Sequence, residues 1–569
     1  MLYHALAVDY DGTLATNGFV DDATVDALVR LRQSGRRLVM VTGRLLAPLL
    51  AAFPQVGLCD LVVAENGALL YDPDTQTERT LVDPPPREFV EKLAQRNVPV
   101  HEVGRVIIAT CIPHEGLVLE TIRDLGLELQ IIFNKGAVMV LPTGVNKASG
   151  LRAALQELGL SAHNAVGIGD AENDLAFLHL CDASAAVDNA LESVKKEVDI
   201  VLRGRESAGV VELIEQLLAD DLQALRDRPD HGILLGNEIG GADVRIPVYG
   251  TRVLVTGDSA GGKSKLAIGI LEQLMNDEYQ TVVIDPEGDY QSVEGPIVLG
   301  TLERAPTAEE VLQVVRHSDK SCVVSLFAAK TEEQPPLFSK LYRALQDHRF
   351  HTGRPHWNII DEAHYPISGA WQPIDELHLE DFRSVMYVTA FPEQMPRNVL
   401  SAIDLFVAIS DEPGKLLQKY CEFLNEEAPK LEPLADVDTH RDIAWWRGKG
   451  LPFWFRRLPP RGDHQRHQHQ YFDGEMDPEN RFYFRGPNAS LNLAAGNLRT
   501  FMQLAEGVDE ETWVYHLKRG DYARWFRDKI QDEELAAVAE QLQHAADVSP
   551  QDSRRRVLEM IRKLYVKEI

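Results

Sequence analysis

Two groups of residues in this 569-residue chain have the types and spacing to handle phosphate. Near the start, Asp9-Tyr10-Asp11-Gly12-Thr13 follows the apolar run Ala5-Leu6-Ala7-Val8; in the middle, Gly257-Asp258-Ser259-Ala260-Gly261-Gly262-Lys263-Ser264 follows Arg252-Val253-Leu254-Val255-Thr256. A carboxylate at a strand end can attack a phosphoryl group once cations offset its repulsion from a dianion. A second carboxylate two residues on can carry the proton of the leaving group. The glycine-rich run does different work: backbone N–H groups at a helix start cradle nucleotide phosphates, the lysine reaches the β and γ groups, and the serine ligates Mg²⁺. The two chemistries need different folds, so the chain must contain at least two domains.

The elements that would carry these residues follow from hydrophobic patterning. A buried strand over 5–8, a helix over Asp22–Ser34 and a strand over Arg37–Val41 alternate as in a parallel α/β sheet, which places Asp9 and Thr42 at carboxyl strand ends, where such sheets bind ligands. A strand over 252–256, the glycine-rich loop and a helix over Lys265–Met275 make a second such unit. The length predicts roughly three to four domains. A composition of 44% hydrophobic and 25% charged residues suits soluble cores.

A net charge of −29 opposes passive binding to nucleic acid or to anionic membranes, because neutralising phosphates needs clustered Lys and Arg. No apolar run approaches 18 residues and no leader pattern precedes Asp9, so a cytoplasmic protein without a membrane partner is expected. The five cysteines (59, 111, 181, 322 and 421) lie far apart without a C-x-x-C pair, which suggests reduced packing residues rather than a zinc site or a disulfide framework.

Four motifs come in order: Asp9 to Thr13; Thr42-Gly43-Arg44; Lys147 within Thr143-Gly144-Val145-Asn146-Lys147; and Gly169-Asp170-Ala171-Glu172-Asn173-Asp174. Together they resemble the haloacid dehalogenase superfamily of phosphatases, specifically its Cof-like branch. The resemblance implies a Rossmann-like α/β core over 1–228 and a small α/β cap over about 68–141. It implies that Asp9 is the nucleophile, Asp11 the general acid and base, Thr42 a phosphoryl contact, and Lys147 the cation that neutralises Asp9. Mg²⁺ would be held by Asp9, the backbone carbonyl of Asp11 and Asp170, with Asp174 in or near its shell, Asn173 beside it and Arg44 close to the phosphate. A capped site of this kind favours a small phosphorylated metabolite, of sugar-phosphate or phosphoglycolate type.

In the second unit, Gly257 to Ser264 in its strand–loop–helix context is a Walker A loop, predicting a P-loop NTPase α/β domain over 232–415. Trp357-Asn358-Ile359-Ile360-Asp361-Glu362-Ala363-His364 adds a strand ending in two acids, Asp361 for the Mg²⁺ shell and Glu362 to polarise water. With Ile284-Asp285-Pro286-Glu287-Gly288-Asp289-Tyr290, these residues resemble the HerA-like branch of the HerA and FtsK ATPases. That resemblance implies ATP as ligand and raises a homo-oligomer as a candidate assembly. The Gln of the T-Q-x-P pattern is Ala390 in Thr389-Ala390-Phe391-Pro392, so the side chain that would sense the γ-phosphate is missing.

Residues 416–470 read as an irregular connector, containing Trp445-Trp446-Arg447, Pro459-Pro460-Arg461-Gly462 and the histidine-rich 464–469. Residues 471–569 read as a mainly helical accessory module that ends in an amphipathic helix over Arg554–Lys567, with His516, Arg519, Asp521 and Arg524 as either an anion site or surface ion pairs. The expected whole is a Mg²⁺-dependent small-molecule phosphatase joined to an ATP-binding domain of regulatory or assembly role. A nucleic-acid end-processing phosphatase or a DNA-associated ATPase is the alternative.

Overall fold

The computed structural model describes residues 1–134, 137–226, 232–239, 241–258, 262–432, 442–458, 476, 480–487, 491–530, 532–545 and 548–565. It divides into two compact units. One comprises Met1–Gly232 with Leu312–Lys320 and Ala344–His356; the other comprises Ile233–Val311, Ser321–Arg343 and Trp357–Ile569.

The first unit is built on an eight-stranded sheet in the order Ile200–Val201, Ala183–Ala186, Ala165–Gly169, Ala5–Val8, Arg37–Val41, Leu61–Ala64, Leu69–Asp72, Thr77–Thr80. The first six are parallel, and the last two are added by successive antiparallel pairings. Residues 5–8 are buried on both faces, as a central strand between helical layers requires. Val8 stands opposite both Ile168 and Met40. The residues that follow these three strands, Asp9, Asp170 and Thr42, therefore emerge at one edge of the sheet.

Helix Asp22–Gln33 begins where the Asp21 side chain accepts the Thr24 N–H at 2.7 Å, and its Ala27, Leu28 and Leu31 bury against the core. A smaller antiparallel sheet, ordered Glu102–Val103, Ile108–Cys111, Ala137–Pro142, Leu129–Asn134, forms the cap. Helices Arg87–Gln95 and Glu115–Leu125 pack on it through Phe89, Leu93, Val118 and Ile122. The cap starts later than the sequence suggests: strands Leu69–Asp72 and Thr77–Thr80 extend the core sheet, so the boundary at residue 68 moves to beyond Thr80.

The second unit carries an eleven-stranded sheet in the order Asp243–Pro247, Gly232–Glu238, Phe453–Arg457, Asp442–Trp446, Leu405–Ile409, Arg252–Gly257, Val385–Thr389, Trp357–Ile360, Thr281–Asp285, Cys322–Ser325, Ile297–Leu299. The seven strands from Leu405–Ile409 onward are parallel. The expected irregular connector at 416–470 is corrected here. Helix Pro413–Leu424 runs through the boundary at 415, and Asp442–Trp446 pairs antiparallel with Leu405–Ile409 and with Phe453–Arg457. Trp445 and Trp446 belong to a sheet strand, while 433–441 and 459–475, including the histidine-rich run and Pro459 to Gly462, lie outside the described residues.

The C-terminal module pairs Phe482–Phe484 with Leu493–Ala495 and gathers helices Leu498–Gly507, Glu510–Lys518, Asp521–Asp528, Glu533–His544 and Pro550–Tyr565 around Phe482, Phe501, Trp513, Tyr522 and Trp525. Its last helix starts earlier than the expected Arg554, because Ser549 caps it by accepting the Asp552 N–H at 3.0 Å. His516 accepts the Arg485 N–H on Nε2, so its Nδ1 donates to Asp521 at 2.9 Å, and Asp521 also pairs with Arg519 and Arg524. This cluster is a structural ion-pair network. The five cysteines are free, four buried and Cys111 partly exposed. Among the described residues, no helix is long and apolar enough to cross a membrane.

Candidate functional site

Asp9, Asp170 and Asp174 converge at the carboxyl edge of the first sheet, each offering a carboxylate oxygen within 4.8 Å of the others. Lys147 supplies the cation among them: its Nζ donates to Asp9 Oδ1 at 2.6 Å and to Asp174 Oδ1 at 2.5 Å, with the lysine 2% exposed. Asp174 turns its other oxygen to the backbone N–H groups of Asp170 and Ala171, at 3.0 and 2.9 Å, which fixes the loop that presents Asp170.

Lys147 is placed by local chemistry. It is the first residue of helix Lys147–Glu157, where Asn146 accepts the Ser149 N–H and the Ser149 hydroxyl accepts the Asn146 N–H, a capping box. Gly150 then lets the helix close on the core. A Cβ there would fall 2.4 Å from Val63 and 2.7 Å from the Gly67 Cα.

Three carboxylates face one ammonium in a buried place, and the charges show it. Burial pushes the Asp9 carboxyl up to about 7, with the Asp174 charge adding to the rise and Lys147 opposing it. Burial works against the charge on Lys147, but Asp174 and Asp9 outweigh it and hold the ammonium protonated. Hard oxygen donors with excess negative charge fit a divalent cation of the magnesium kind.

The remaining predicted residues fall around the same point. A cavity of about 300 Å³ is lined by Asp9, Asp11, Arg44, Lys147, Asp170 and Asn173 from the core and by Ile107, Ala109 and Met139 from the cap. Arg44 grips Asp11 with two bonds, Nε to Oδ2 at 2.7 Å and Nη2 to Oδ1 at 2.6 Å, and lies over the Tyr10 ring. Thr42 is fully buried and is not among the residues lining the cavity; its hydroxyl accepts the Arg44 N–H at 3.2 Å and so shapes the loop. Asn189, which the sequence reading did not single out, donates to the Gly12 carbonyl at 2.7 Å and holds the Asp9 loop.

The second group is arranged differently. Lys263 opens helix Lys263–Asn276, is fully buried, and donates to the main-chain carbonyls of Gly257 and Asp258 at 3.2 and 3.0 Å. Gly262, at φ +92, and Ser264, 2% exposed, flank it, while Ser259, Ala260 and Gly261 lie outside the described residues. Asp361 is buried just beyond the end of Trp357–Ile360 and accepts the Glu362 N–H at 2.9 Å. Glu362 adopts a left-handed φ of 36° and lies 3.4 Å from His364 Nδ1, which is also 3.0 Å from the Thr389 hydroxyl. Burial lowers the His364 pKa to about 4, so the ring is neutral. Asp285, at the end of its own parallel strand, accepts the N–H groups of Gly288, Asp289 and Tyr290. Burial and the neighbouring Asp289 charge push it up to about 8.

Comparison with known proteins separates the two halves. The haloacid dehalogenase-like hydrolase family matches residues 6–109 and 118–214. A phosphoglycolate phosphatase of Saccharolobus solfataricus is 30% identical over 220 residues, spanning 38% of this chain and 92% of the relative. Through its N-terminal domain, the chain belongs to the haloacid dehalogenase-like hydrolases. A phosphoglycolate phosphatase of Methanothermobacter thermautotrophicus is 29% identical over 223 residues, 98% of its length. A solved haloacid dehalogenase-like hydrolase from Bacteroides thetaiotaomicron has a TM-score of 0.34 at 19% identity and covers 38% of this chain and 99% of that one. In this hydrolase domain, Asp9, Asp11, Lys147 and Asp170 line one cavity, and the buried Asp174 accepts from Lys147.

Proposed function

We propose that the hydrolase domain is a phosphatase acting on a small phosphomonoester through an aspartyl-phosphate at Asp9. The observation that carries this reading is buried Lys147 bridging Asp9 and Asp174, with Lys147, Asp9 and Asp170 lining a capped cavity. Lys147 lowers the cost of bringing the Asp9 carboxylate to a phosphate dianion. Magnesium held by Asp9, Asp170 and Asp174 would supply further positive charge to the phosphoryl oxygens.

Asp9 attacks phosphorus, the P–O bond to the alcohol breaks, and Asp11 gives the departing oxygen its proton. Asp11 then takes a proton from the water that releases phosphate from Asp9. Arg44 engages both Asp11 oxygens, so that pair has to open for Asp11 to reach the departing oxygen. The cavity volume and the apolar cap residues Ile107, Ala109 and Met139 favour a small organic phosphate, and the phosphoglycolate phosphatases among the relatives make phosphoglycolate the first substrate to try. The test is a screen of small phosphate monoesters with Mg²⁺. Asp9→Asn is expected to lose roughly 10³-fold or more in kcat; activity retained in that variant would sink the assignment.

For the second unit we propose ATP binding at Gly257 to Ser264, with Mg²⁺ near Ser264 and Asp361, Glu362 as the water-directing acid, and a regulatory or assembly role. Its support is that Gly257, Asp285 and Asp361 all mark carboxyl ends of parallel strands in one sheet, with Lys263 at a helix start. Calorimetric titration with ATP should give saturable heat in the wild type and none in Lys263→Ala.

A further inference from the structure

We infer that Glu65 is a positioning residue that latches the cap over the Asp9 cavity, an inference that rests on the phosphatase reading. Glu65 follows the core strand Leu61–Ala64, is 1% exposed, and points its carboxylate at the cap. Its Oε1 accepts the Arg105 N–H at 2.8 Å; its Oε2 accepts those of Val106 and Ile107 at 2.8 and 3.0 Å. Three consecutive amides of one turn thus end on one buried carboxylate, and charge-assisted bonds of this kind are the stronger class. Gly104 completes the fit. A Cβ there would lie 2.5 Å from Glu65 Oε1.

The turn so held leads directly into strand Ile108–Cys111, and Ile107 and Ala109 form the cap side of the cavity. On its other side the Glu65 loop is tied to the catalytic residues. The Glu65 N–H donates to the Arg44 carbonyl at 2.9 Å and the Asn66 N–H to the Thr42 carbonyl at 3.0 Å. A Cβ on Gly67 would fall 1.9 Å from the Asn146 carbonyl, against the start of the Lys147 helix. Glu65, Asn66 and Gly67 have φ of 52°, 57° and 103°, a left-handed run that non-glycine residues avoid unless the surroundings hold them. One loop therefore touches the Thr42–Arg44 turn, the Lys147 helix and the cap. Glu65 transmits the position of the first two to the third.

A cap that is closed only part of the time weakens apparent substrate binding by its closed fraction. Glu65→Gln replaces one acceptor oxygen by an NH₂ that faces N–H donors, and Gly104→Ala pushes a methyl into the carboxylate from the cap side. In both variants, hydrogen exchange at the amides of Arg105, Val106 and Ile107 should quicken by about tenfold or more, while the core strand Ala5–Val8 stays protected. KM for phosphoglycolate and for the bulkier p-nitrophenyl phosphate should both rise, by about tenfold, with kcat changed less than about threefold. Unchanged exchange at 105–107 in both variants, or an equal fall in kcat for both esters at constant KM, would overturn the latch. A wild type that hydrolyses neither ester removes the phosphatase reading, and the exchange measurement then decides the latch alone.

Discussion

Lys147 and Lys263 are both buried at the first position of a helix that follows a loop, yet they are held by opposite kinds of partner. Lys147 is bracketed by two carboxylates, whereas Lys263 donates to two main-chain carbonyls. The first ammonium has anionic partners within the domain itself and keeps a nucleophile usable. The second donates to neutral main-chain oxygens, which fits the proposed role of receiving a nucleotide phosphate. The same side chain at the same helical position thus meets carboxylates in one unit and main-chain carbonyls in the other, although Asp285 and Asp361 also stand at carboxyl strand ends of the second sheet.

The sharpest way to break this contrast is to remove each lysine. Lys147→Ala strands buried Asp9 and Asp174 without their counter-ion and should cost about 3–5 kcal/mol of stability in addition to phosphatase activity. Lys263→Ala gives up hydrogen bonds to neutral carbonyls and should cost about 1–2 kcal/mol, losing ATP binding instead. Chemical denaturation of the two variants measures the difference; equal losses would erase it.

Asp285 sharpens the comparison from the acid side. Its folded pKa near 8 lies above the ordinary 3.8, so the folded protein retains a proton that the unfolded chain has lost. The stabilising contribution is complete below about pH 4, falls as pH rises toward 8, and then levels off, with a span on the order of 5 kcal/mol as an upper bound. In nucleotide-free, chelator-treated protein, unfolding midpoints of the second unit should fall over that range. Asp285→Asn should flatten the profile; a profile unchanged by the substitution would show that another group carries it.

The smallest effect concerns how Lys147 is aimed. Asn146→Ala removes the side-chain half of the capping box and should lower stability by about 1 kcal/mol, with a rise in KM that reports a loosened Lys147. An unaltered KM would mean that Gly150 packing alone places the lysine.

Much of the hydrolase core was legible in the sequence because its central strands are short apolar runs that end directly in the chemical residues. The reading of 5–8 and 37–41 as strands matches the structure, and the strand before Lys263 is one residue longer than read. The errors arose where local pattern carries no signal. Thr77–Thr80 is exposed along its whole length, so nothing in Thr-Glu-Arg-Thr announces a core-sheet strand. Asp442–Trp446 is separated in sequence from Leu405–Ile409, and only a long-range pairing makes it a strand. Glu65 was visible as a letter, but its three partners lie about 40 positions away on the cap. Arg44 was placed near the phosphate, while its two bonds to Asp11 depend on a loop shape that the motif does not encode.

The antiparallel pair Asp442–Trp446 and Phe453–Arg457 has a practical consequence for anyone who trims the chain. A fragment ended near residue 415 would strip the covering strand from Leu405–Ile409, which is buried along its whole length. That strand would then present a bare row of N–H and C=O groups on an apolar ribbon, open to the same ribbon of another molecule. Such a fragment should aggregate edge to edge, and a soluble version of the second unit has to run at least through Arg457.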